Sequence, residues 1–105
     1  MDETSKVWQT QLEWEKERHA YLAGRLPKIK DKLTRRNSEF ELLCAAAGLS
    51  PMTYYHQHMA SSDVQLYQGD YAKLLADEEW CMEYMRDSET KITDLEQKLR
   101  LMASS

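Results

Sequence analysis

The sequence predicts an all-α protein: an antiparallel helical hairpin with coiled-coil character and a short helix-turn-helix-like tip. Three observations carry this expectation. The 105 residues include only three Gly and two Pro, so long stretches run without a helix breaker. Two long seams of mostly apolar residues alternate by four and three positions, the spacing of a coiled coil. Between the seams lies a short stretch punctuated by Gly, Ser and Pro. The length suits one helical domain, 1–105, with a modest core.

Residues 4–36 read as an N-terminal helical arm. Trp8, Leu12, Glu15, His19, Leu22, Leu26, Ile29 and Leu33 share one seam. Glu15 and His19 are defects in it, and Trp14 and Tyr21 lie off it and widen the apolar face. Gly24 and Pro27 predict a stop and a restart of the helix. Ser38 with Glu41 makes a capping-box pattern, so a fresh helix is expected there; whether 27–47 is one helix or two stays open.

Residues 38–60 read as the tip. A helix through "FELLCAAA" ends at Gly48, and Ser50 caps the next helix with Pro51 at its first position. Ser62 or Asp63 then caps a long helix over 63–102. Its seam is Tyr67, Tyr71, Leu74, Glu78, Cys81, Met85, Ser88, Ile92, Leu95, Leu99 and Met102, with Glu78 and Ser88 as defects. Ile92, Leu95, Leu99 and Met102 form a short zipper that serves within the chain, between two chains, or both.

The segment "AAAGLSPMTYYHQHMASSD" resembles helix-turn-helix DNA-binding segments, including those of TetR-type repressors, at Ala45, Gly48, Leu49, Ser50, Thr53, Tyr55 and Asp63. The resemblance covers about a quarter of the chain. It implies a small residue where two helices cross, a left-handed turn, a core plug at Leu49, and phosphate- or body-facing roles for Thr53 and Tyr55. Gln57 and Thr53 are the candidate base readers, and Arg25, Lys28, Lys32, Arg35 and Arg36 the candidate phosphate anchors. An ordinary αα-corner uses the same residue types. Charge favours the corner: no Lys or Arg occurs from Asn37 to Ala72, and the formal net charge is −4.

Nothing in the pattern predicts catalysis, a metal or a cofactor. His56 and His58 are two apart, so a helix turns them about 200° from each other. Cys44 and Cys81 make no CxxC and read as packed thiols in a reducing compartment. Asp77, Glu78 and Glu79 read as a solvated helix face. Three scattered Gly cannot build a phosphate loop.

The polar, acidic N-terminus is not a secretory signal, and no apolar run approaches the roughly 18 residues of a membrane span. A cytoplasmic or otherwise intracellular protein without a membrane partner is the expectation. Three Trp, six Tyr and one Phe are the chain's main asset. The expected function is therefore non-enzymatic protein binding by a small helical adaptor or inhibitor, homo-oligomeric or part of a complex. The expected contacts are Tyr54, Tyr55 and His58 at the tip, or a belt around Trp80 and Tyr84. A DNA-binding regulator that reads with 38–60 and dimerises through its last helix is the alternative.

Overall fold

The structure, a computed structural model, describes residues 3–104. Three helices follow in order: α1 Glu3–Ala46, α2 Pro51–Gln57 and α3 Ser62–Ser104. α1 and α3 form the antiparallel hairpin. No strand occurs among the described residues. The chain divides into two compact units. The first joins the α1 residues up to Leu26 to the α3 residues from Trp80 on, and the second is Pro27–Glu79.

Both seams are lines of burial. Every position from Trp8 to Leu33 on the first, and from Tyr67 to Met102 on the second, is buried or half-buried. Apolar spacing at a four-three alternation thus selects the buried stripe of each helix, as helical geometry requires.

α1 is one helix where the sequence predicts breaks. It runs through Gly24 and Pro27 and past Ser38 to Ala46. An interior Pro costs about 3 kcal/mol through its missing N–H and its clash with the preceding turn. Leu22 and Ile29 on either side of it are each buried. Each such burial contributes about 1.5–3 kcal/mol, which offsets the proline. The same continuity overrides the capping box at Ser38. The seam carries on through Asn37, Phe40 and Cys44, all buried or half-buried. From Ile29 the steps are four, four and three. This is one eleven-residue spacing inserted among heptads, and it follows the 3.6-residue turn of a straight helix more closely than a heptad does.

The turn after α1 forms a Schellman motif. The Leu49 N–H donates to the Cys44 carbonyl at 3.0 Å and the Gly48 N–H to the Ala45 carbonyl at 3.0 Å. Gly48 has φ +70°, a region closed to most side chains. Ser50 caps α2: its hydroxyl oxygen accepts from the Thr53 N–H, and Pro51 follows at the first helical position. The cap of α3 is Ser61 rather than Ser62 or Asp63, because the Ser61 Oγ accepts from the Val64 N–H at 3.3 Å. No helix of the described residues is long and apolar enough to cross a membrane.

Candidate protein-docking surfaces

The first unit pairs the two seam defects. Ser88 Oγ donates to Glu15 Oε2 at 3.1 Å, and both residues are buried. Arg18 lies 3.5 Å and Lys91 4.0 Å from the other carboxylate oxygen. Two turns away, Cys81 Sγ donates to the Leu22 carbonyl at 3.3 Å. A polar layer set between apolar layers matches only one helix register. His19 meets Glu89 at 3.0 Å and Lys16 meets Glu96 at 3.6 Å, both in exposed positions.

Outside this seam the first unit leaves large apolar side chains open. On α1, Val7, Trp14 and Tyr21 recur every seventh residue and are exposed, Trp14 by 73%. Seven residues make close to two turns, so the three form one stripe. On α3, Trp80 and Leu101 lie three heptads apart and are exposed, with Asp87 and Asp94 between them on the same stripe. The Trp80 and Tyr84 rings pack at 4.3 Å. The Arg18 guanidinium stands 4.9 Å over Tyr84 and 3.9 Å from Asp87. A groove of about 350 Å³ joins Trp14 to Lys91, Asp94, Leu95 and Lys98, so both stripes open on one side. Met82 is exposed, but two residues from Trp80 it falls on another side of α3.

In the second unit the tip aromatics turn inward. Tyr54 is buried with Cys44 and Val64, and Phe40, Leu49 and Tyr55 pack against them. Phe40 meets Tyr54 edge-on at 5.8 Å and stacks on Tyr67 at 4.3 Å. His58 packs on Tyr54 at 4.4 Å, and the Tyr55 hydroxyl accepts from Gln68 Nε2 at 3.1 Å. Of the expected tip contacts, Tyr54 is withdrawn from solvent and Tyr55 and His58 are half-buried. The exposed apolar residues around the tip are Leu42, Leu43, Met52, Met59 and Leu66. A two-turn helix lying on a hairpin end must bury one flank, and the aromatic flank fills more volume than the Met flank.

The positions that resemble a helix-turn-helix divide in the same way. Gly48 and Leu49 hold the expected turn and core roles. Ala45 is exposed, and the close approach falls to Cys44. The Thr53 hydroxyl accepts from Ser50 Oγ at 2.8 Å and so belongs to the cap, while Gln57 is exposed. Arg25 is half-buried in the first unit and Lys28 is exposed in the second. Lys32, Arg35 and Arg36 line a groove of about 450 Å³ with Lys73, but Glu39, Asp70 and Asp77 line it too. Arg36 binds Glu39 at 3.0 Å and Asp70 at 2.9 Å. The basic run is thus interleaved with carboxylates.

Leu95 is 7% exposed, and Ile92, Leu99 and Met102 are half-buried within the single chain. Among the described residues no cluster of three or more His, Cys, Asp or Glu is arranged to hold a metal ion. Trp14 and Tyr21 are expected only to widen the apolar face of the seam, whereas the seven-residue spacing of Val7, Trp14 and Tyr21 marks a separate exposed stripe. Compared with protein-family models, with curated proteins and with solved structures, the chain matches none.

Proposed function

We propose that the chain is a non-enzymatic protein-interaction module that self-associates through its helices. The observation that carries this reading is the open side of the first unit, where Val7, Trp14 and Tyr21 of α1 and Trp80, Tyr84 and Leu101 of α3 are exposed. Exposed aromatic side chains gathered on one side, with charged residues set among them, are the composition of an interaction surface. Trp, Tyr and Arg are the side chains that anchor such sites, and Arg18 stands among them. The charges of this side interleave: Lys91 pairs with Asp87 at 3.2 Å and Lys98 with Asp94 at 3.1 Å. A two-fold pair sets one face against itself, so such local neutrality keeps like charges from opposing it.

Charge does not favour the DNA reading. The stretch 37–72 has no Lys or Arg, and Arg36 at its edge is held by two carboxylates.

Tryptophan emission along a dilution series tests the proposal. Trp14 and Trp80 are exposed in the single chain. Association should bury them, so emission shifts to the blue as concentration rises, and Trp14→Glu should abolish that shift. Emission that stays constant over the whole series counts against self-association through this side.

A further inference from the structure

We propose that a second groove, at the tip end of the second unit, seats a basic amphipathic helix of a partner protein. This goes beyond self-association and uses a different surface. The floor is the Phe40–Tyr67 stack, fixed where the Tyr67 hydroxyl donates to Asn37 Oδ1 at 2.6 Å. Leu43 and Leu66 form the apolar walls, and Glu39 and Asp63 stand with them around a space of about 290 Å³. Small-molecule pockets run from roughly 300 to 1,000 Å³, so this space suits one or two inserted side chains. Leu66 is 66% exposed, an apolar side chain left open among the described residues.

Charge identifies the occupant. From Asn37 to Ala72 the chain has four carboxylates, Glu39, Glu41, Asp63 and Asp70, and no Lys or Arg. Arg36 at the rim is engaged by Glu39 and Asp70 and does not offset Asp63. Asp63 suits the first turn of α3 by its dipole, which explains a carboxylate there but not an open leucine beside it. A helix with apolar side chains one turn apart and Lys or Arg on its flanks answers both features. Its leucine-type side chains enter between Leu43 and Leu66, and its cations face Asp63, the lining carboxylate that Arg36 does not engage.

The test titrates the full chain into a fluorescent peptide with leucines at i, i+3, i+4 and i+7 and lysines on its flanks. A counterpart has every lysine replaced by glutamate, and binding is read by anisotropy. The lysine peptide binds and the glutamate peptide does not. Leu66→Asp weakens binding by about tenfold or more, the loss of one leucine-sized contact. That substitution adds negative charge, so binding by charge alone would tighten instead. Asp63→Lys also weakens binding, and Trp14→Glu on the first unit leaves it unchanged. Should Leu66→Asp lose helical circular dichroism, Leu66→Ala and Leu43→Ala must weaken binding in its place. No binding by the lysine peptide, equal binding of both peptides, tighter binding by Leu66→Asp, or loss through Trp14→Glu overturns the proposal.

Discussion

Glu15 is the one charged residue among the described residues that is buried. Its carboxylate accepts from Ser88, with Arg18 and Lys91 at its edge. Removing one partner from a buried polar pair costs the desolvation of the group left behind, about 1–3 kcal/mol. Ser88→Ala should therefore lower unfolding free energy by that amount in a urea titration. Glu15→Leu combined with Ser88→Ala should recover the loss or exceed it, because an apolar layer replaces the polar one without an orphan. Tyr67 supplies a second test at this scale. Burial, then its neighbours Tyr71, Glu41 and Cys44, raises its pKa above the ordinary 10.0. The neutral phenol is the form the fold favours, as its hydroxyl donates to Asn37. Stability from this preference is complete below pH 10.0 and disappears as pH rises through the elevated value. Unfolding measured against pH should show an alkaline loss that Tyr67→Phe reduces.

At the scale of the element, periodicity was legible and punctuation misled. Glu15 and Ser88 read as defects in two separate seams; that they are partners is a fact about register, which no single helix encodes. Gly24, Pro27 and Ser38 are local signals, and each lost to the burial of Leu22, Ile29 and Phe40 along a continuous stripe. Gly48 was legible because only a left-handed turn needs it there, and no tertiary contact competes. Two glycines should then respond in opposite directions. Gly24 sits in a helix with open space around its missing Cβ, so Gly24→Ala should stabilise by about 0.5–1 kcal/mol. Gly48→Ala should destabilise, because φ is +70°. The zipper is tested by Leu95→Asp. Leu95 is buried within a single chain, so this variant should lose several kcal/mol of stability at denaturant midpoint, the cost of an unpaired carboxylate in an apolar layer. A variant that unfolds like the parent but has a smaller solution mass would make the zipper intermolecular.

For the whole molecule, the hairpin follows from composition and seam spacing, while the proposed docking surfaces follow from which residues the seams leave over. The sequence singled out aromatic residues as contacts but could not say which side each faces. Tyr54 went inward because the tip needs a core of its own around Cys44 and Val64. Trp14 and Tyr21 stayed outward because their stripe lies beside the seam rather than in it. The proposed interaction module would bind through its outer side while the seam stays unchanged. Sedimentation equilibrium tests this most directly, comparing the parent chain with Trp14→Glu and Trp80→Glu. The account predicts a parent mass above the 12.4 kDa of one chain that rises with concentration, and single-chain mass with unchanged helicity for both variants. A parent that remains at single-chain mass at every concentration, or variants that keep the parent's larger mass, would contradict it.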